Sequence, residues 1–227
     1  MLMFWTSVKT RLISVFSISS DGSMSKRIIL TGFGIVIIFI VLLGFYWSSE
    51  PAAFSVQQKT AQKLALIGND YVVGINTTVA LIMVAETLLN KLGGYLSNDV
   101  STPGIYLDNI PNWEFGALVQ VRDLSRTFRE SFSRSQSQST EDPDLIISEP
   151  KFHFSNDSWL FPATESEYAE AIGRLDSYLA RISDTANADA QFYARADNLA
   201  DWLLAVESRL GSLSQRLSAS VRQSRVN

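Results

Sequence analysis

An unbroken apolar run from Ile28 to Trp47, with no charged side chain and with Lys26 and Arg27 directly before it, constrains this chain more than any other feature. At 1.5 Å of rise per residue, about twenty helical residues cover roughly 30 Å, the thickness of a bilayer's hydrocarbon core. A helix made from this run has no polar face to turn to water, which argues against a core helix of a soluble domain. A cleaved signal peptide would have a shorter apolar core, followed by a small-x-small site. Here the run is followed by Ser48-Ser49-Glu50-Pro51. The reading is an uncleaved anchor that divides the chain into an N-terminal segment 1–27, a transmembrane helix 28–47 and a helical domain 48–227.

The flanks give the anchor a direction. Lys9, Arg11, Lys26 and Arg27 precede it, whereas only Lys59 and Lys63 are basic in the nearest stretch after it. This excess of Lys and Arg predicts a cytoplasmic N-terminus and a domain on the far side, with Tyr46 and Trp47 at the outer headgroup level. Gly32, Gly34 and Gly44 lack the spacing of a helix-dimerising Gly-x-x-x-Gly. Trp5, Val8, Leu12, Val15 and Phe16 share one helical face. Two readings stand for that segment, a short helix on the inner leaflet or a frayed tail.

Charge and cysteine content narrow the partners. Setting aside the four N-terminal bases and Asp21 from 19 basic and 23 acidic residues leaves 15 and 22 beyond the run, a balance of −7. An acidic domain gains nothing from counterion release on a polyanion, so nucleic acid is not an expected partner. The chain has no cysteine, so packing alone must hold the fold.

Past the anchor the pattern is helical. Ser49 and Pro51 are read as the start of a helix through Phe54, Ala61, Leu64 and Ile67 that stops near Gly68. A second helix fits Asn76 to Leu92, is apolar on more than one face, and ends at Gly93-Gly94. After the turn-rich stretch Asn98 to Asn112, a third carries Trp113, Ala117, Leu118, Val121, Leu124, Phe128 and Phe132. Ser133 to Asp144 reads as an exposed loop, and Lys151–Phe154 with Ser158–Phe161 as a small hairpin. Thr164-x-x-Glu167 reads as a capping box opening a helix along Tyr168, Ile172, Leu175, Leu179 and Ile182. A last helix from near Ala188 carries the seam Phe192, Leu199, Trp202, Val206, Leu210, Leu213, Leu217 and Val221. The fold class expected is mainly α: one N-terminal transmembrane helix, then an antiparallel helical bundle with one irregular loop or small hairpin insertion.

Catalytic material is sparse. His153 is the one histidine, no Gly-x-Ser-x-Gly elbow or phosphate loop accompanies it, and no cofactor or metal is implied. On its expected strand between Phe152 and Phe154 it reads as a solvent-facing structural residue. Carboxylates are plentiful in or beside the loops: Asp99, Asp108, Glu114, Glu141, Asp142 and Asp144. A hydrolytic pair would need one held protonated and one ionised. Glu141-Asp142-x-Asp144 lacks the ligand spacing and glycine of a calcium loop. Tyr106, Trp113, Trp159 and Tyr168 suit either a glycan groove or the edge of a core. The last helix carries Arg209, Arg216, Arg222 and Arg225 after its final acid, Glu207.

Several strings resemble a known family. Gly93–Asp99, Pro111–Gly116, Ser133–Leu145, Asn156–Trp159, Thr164–Tyr168, Gln191–Leu199 and Arg209–Ser220 are similar to bacterial proteins grouped as domain of unknown function 2333. The resemblance covers most of the chain after the anchor. It implies a Gram-negative inner membrane with the domain in the periplasm, and it assigns no activity and no functional residue. It also implies further helical sequence beyond Asn227, so the domain is expected to be C-terminally incomplete.

Two functions are weighed. One is a membrane-tethered envelope scaffold or adaptor, held in the lipid bilayer by Ile28–Trp47. It would meet an envelope protein partner or a second copy through Leu213, Leu217, Val221, Arg216 and Arg222. The alternative is a cell-wall-directed hydrolase or glycan-binding module using Asp99 and Glu114.

Overall fold

The computed structural model describes residues 22–135, 140–186 and 189–226, with side chains from Lys26 to Val221. Among the described residues there are seven α-helices and no strand. These are α1 (Gly22–Trp47), α2 (Val56–Ile67), α3 (Ile75–Asn90), α4 (Asn109–Thr127), α5 (Pro143–Phe152), α6 (Thr164–Ser183) and α7 (Ala196–Val226). The chain forms two compact units, one ending at Phe45 and one starting at Tyr46. In the first, the 22 residues from Lys26 onward in α1 make a helix long and apolar enough to cross a membrane. The helix expected through Trp5 to Phe16 falls outside the described residues.

The second unit is built around α3. Ile75, Val79, Ile82, Ala85 and Leu88 are buried on one side, and Thr78 and Leu81 are buried as well, so α3 is wrapped rather than flanked. It packs against α2, α4 and α6, while α5 bridges α4 and α6, and α7 touches α4. Tyr168, Ile172, Leu175, Leu179 and Ile182 fill the core from α6 at the helical spacing expected of them, joined by Ala171. Lys63 of α2 ties three helices together, its Nζ 3.0 Å from Glu86 and 2.7 Å from Asp176. Burial pulls its pKa down, but the two carboxylates outweigh that and hold it raised.

Three helix starts differ from expectation, each for a local reason. α2 starts at Val56, not after Ser49, because Ser55 is extended and its hydroxyl accepts from the Gln58 N–H. It ends where expected, at Gly68, whose φ of +76° is the left-handed cap that only glycine adopts without strain. Thr164 does not cap α6. Its hydroxyl reaches back to the carbonyls of Ser155 (2.8 Å) and Ser158 (3.1 Å), and Ala163 takes the cap position without a side-chain bond. α7 begins at Ala196. Ala188 lies outside the described residues, and Phe192 sits in a non-helical segment, stacked on Phe132 at 4.8 Å.

The hairpin is not there. Lys151 and Phe152 close α5, whose first turn has Asp142 as N-cap, accepting from the N–H groups of Asp144 and Leu145, and Pro143 in the position where a missing donor costs nothing. Phe152 is fully buried, and Lys151 pairs with Glu167 (2.7 Å) and Glu170 (2.8 Å) of α6. Ser158 to Phe161 form part of an irregular loop that the Thr164 hydroxyl gathers. The acidic stretch before α5 is likewise no free loop. Arg181 of α6 holds Asp142 at 2.7 Å and Asp144 at 2.6 Å.

Candidate functional site

The stripe of α4 that faces inward is set by Ile110, Glu114, Leu118, Val121 and Ser125, so Glu114 takes a core position and Trp113 stays half-exposed beside it. Glu114 is fully buried and forms an ion pair with Lys91, itself almost without solvent contact. Its two oxygens also accept from the N–H groups of Leu96 (2.8 Å) and Ser97 (2.7 Å). This carboxylate therefore pins the segment after α3 onto the start of α4. Asp99 does something else: it accepts from the Ser101 N–H (3.0 Å) and hydroxyl (2.9 Å), a local turn. The two acids weighed as a hydrolytic pair have separate structural jobs.

Glu141 and His153 are also engaged. Glu141 lies 3.5 Å from Arg129 and 3.7 Å from Arg134. His153 caps α5 rather than standing on a strand, with Nδ1 3.2 Å from the Glu149 carboxylate and Nε2 3.4 Å from Arg126. Among the described residues no three His, Asp or Glu side chains converge on a point where a metal could sit. Of the four aromatic rings weighed as a glycan groove, Tyr168 is buried and Tyr106 and Trp159 are exposed, so the four do not share one surface. Burial pushes the pKa values of Tyr95, Tyr168 and Tyr178 upward.

What the structure leaves open is α7. Its 31 residues extend about 46 Å. The segment leading into it is well fixed: the Tyr193 N–H donates to the Phe132 carbonyl (2.7 Å), and Asn198, almost buried, donates to the carbonyls of Ser131 and Tyr193. Trp202 and Val206 are half-buried. A fork from Arg209 to Asp123 of α4, at 2.9 and 2.7 Å, ties the middle of the helix to the bundle. From Glu207 to Val221 every side chain is exposed, with Leu210 at 58%, Leu213 at 47%, Leu217 at 68% and Val221 at 46%. Arg216 stands exposed beside them, and the Arg222 side chain is outside those described.

The model of one protein family, described as "Uncharacterized protein conserved in bacteria (DUF2333)", matches residues 20–227. Comparison with curated proteins and with solved structures gives no match.

Proposed function

The chain belongs to the DUF2333 family of bacterial proteins, and we propose that this member is a membrane-tethered docking protein of the cell envelope. In this reading α1 anchors it in the inner membrane with the N-terminus in the cytoplasm, and the bundle stands in the periplasm. The Lys and Arg excess before Ile28 supports that orientation.

One observation carries the docking role: an apolar seam on α7 that the rest of the bundle leaves uncovered. Leu203, Leu210 and Leu217 recur every seven residues with Leu213 between them, a strip as narrow as a helix-pairing seam. Charge selects the occupant. After Glu207 the helix carries four arginines and no acid, so two copies laid together would oppose like charges. A helix with a leucine seam and acidic flanks fits it, and that is the partner we assign.

The test uses the full chain in detergent and two synthetic heptad helices with leucine seams, one flanked by Glu and one by Lys. The acidic helix is expected to bind, Leu213→Glu to abolish binding, and Arg216→Glu to shift preference toward the basic helix. Equal binding of both, or of neither, overturns the assignment. So does a concentration-dependent dimer that Leu213→Glu dissolves, which would identify a second copy as the occupant. For orientation, alkaline phosphatase fused after Asn227 should be active, and an inactive fusion would reverse the topology.

A further inference from the structure

The loops at one end of the bundle carry six large apolar side chains in water: Val100 (58% exposed), Ile105 (59%), Tyr106 (78%), Trp159 (57%), Leu160 (55%) and Phe161 (100%). They come from two segments, the α3–α4 connection and the α5–α6 connection, which hydrogen bonds join into one surface. The Asn98 amide donates to the Ser158 carbonyl (2.9 Å) and to Glu165 (2.8 Å), and the Tyr95 hydroxyl to the Asn156 carbonyl (3.1 Å). Each segment is also braced internally. The Ser158 hydroxyl donates to the Pro162 carbonyl (2.9 Å), and the Tyr106 N–H to the Pro103 carbonyl (3.0 Å). These side chains are therefore presented by a fixed scaffold.

Chain topology says what lies opposite. The C-termini of α3 and α5 and the N-termini of α4 and α6 all meet at this end, as the Lys91–Glu114 and Lys151–Glu167 pairs show. The chain enters the second unit here too. The ring of Trp47 lies against Gly93, only 2.8 Å from where a Cβ would stand, and Gly93 has a φ of +85°. From Trp47, residues 48–55 lead to α2, a reach of at most about 29 Å. Within the second unit, the surface thus lies at the same end of the bundle as Trp47.

Its chemistry suits an interface without net attraction for phosphate. Trp and Tyr are the residues that settle at headgroup depth, and the charged neighbours on these loops are the acids Asp99, Asp108 and Asp157. We infer that this end of the bundle is a membrane foot, whose six apolar side chains insert into the headgroup layer of the bilayer that holds α1. The inference rests on α1 being a membrane span. The foot would seat the domain on the lipid surface and leave α7 free for its partner.

The chain has no cysteine, so single labelling sites can be introduced cleanly. The full chain carrying Phe161→Cys, Phe39→Cys or Gln215→Cys is spin-labelled and placed in phosphatidylcholine nanodiscs. Oxygen reports lipid contact and a nickel chelate reports water. The label at 161 is expected to meet the nickel chelate less often and oxygen more often than the label at 215, as lipid contact requires. Phe39 should be deeper still. A water-exposed 161 beside a lipid-buried 39 overturns the foot and leaves the span intact. Water exposure at both positions overturns the span and the foot together. Adding phosphatidylglycerol should not deepen the label at 161; a depth that depends on anionic lipid overturns insertion by apolar contact. Ile105→Cys, labelled in a Trp159→Ser, Leu160→Ser background, should become more accessible to the chelate. An unchanged value there would also count against a shared surface.

Discussion

Lys91 and Glu114 show how one pair of side chains can decide a loop. Two charges without solvent are costly unless each is paired and hydrogen-bonded, and here both conditions hold. Glu114→Gln or Lys91→Met should each cost about 3–5 kcal/mol in urea unfolding, because either change leaves an uncompensated buried charge. Replacing both by apolar residues should not restore stability, since the Leu96 and Ser97 N–H groups would lose their acceptor at about 1–3 kcal/mol each. Asp99→Asn, at a partly exposed turn, should stay within about 0.5 kcal/mol. None of this was legible in the sequence, where Glu114 is one acid beside Trp113. Its inward position depends on Lys91 arriving from another helix, which no local pattern records. The buried tyrosines make a second residue-level prediction. Burial raises the folded-state pKa of Tyr95, Tyr168 and Tyr178 above the unfolded value. Their contribution is therefore complete below the unfolded pKa, about 10, and is lost as pH rises past it. Absorbance at the tyrosinate band should show a late fraction of the seven tyrosines, titrating together with the loss of helical circular dichroism.

At the scale of elements, α5 is the instructive case. Aromatic residues around a Ser-Asn-Asp turn suggest strands, yet Asp142 followed by Pro143 is the start signal of a helix, and the short run after it was too brief for helical periodicity to announce itself. Length made the difference: α3, α4 and α6 are long enough for their apolar stripes to be read directly, and in α6 every residue the spacing indicates is buried, whereas in α4 Ile110 and Glu114 are buried and Trp113 is not. What holds α5 in place is the Arg181 fork across to Asp142 and Asp144. Arg181→Met should cost about 2–3 kcal/mol, below the range for a fully enclosed pair, because the guanidinium keeps 24% exposure. Arg181→Lys should recover only part of this, since an ammonium cannot span both carboxylates as a planar fork does. Thermal unfolding of the two variants against the unchanged chain measures the difference.

For the molecule as a whole, sequence reasoning recovers the division into an apolar helix and a helical bundle, because both are written in local periodicity. Which surfaces stay open is a property of packing, and only the assembled bundle displays it: Phe161 and Leu217 look alike in the sequence to Phe152 and Leu179, which are buried. Stability is correspondingly uneven along the chain. Helices of fewer than about fifteen residues are marginal in water without tertiary cover, and α7 beyond Arg209 is little longer than that. Amide protons of α3 should exchange with deuterium only when the bundle unfolds globally, while those past Arg209 should exchange through local opening, with the boundary at the Asp123 contact. Leu217→Glu should leave the exchange of α3 unchanged. The exposed half of α7 then acts as its own recorder: a helix that docks on it must first settle the segment's order, and binding would register as slowed exchange confined to residues 210–226 while the rest of the protein keeps its original rhythm.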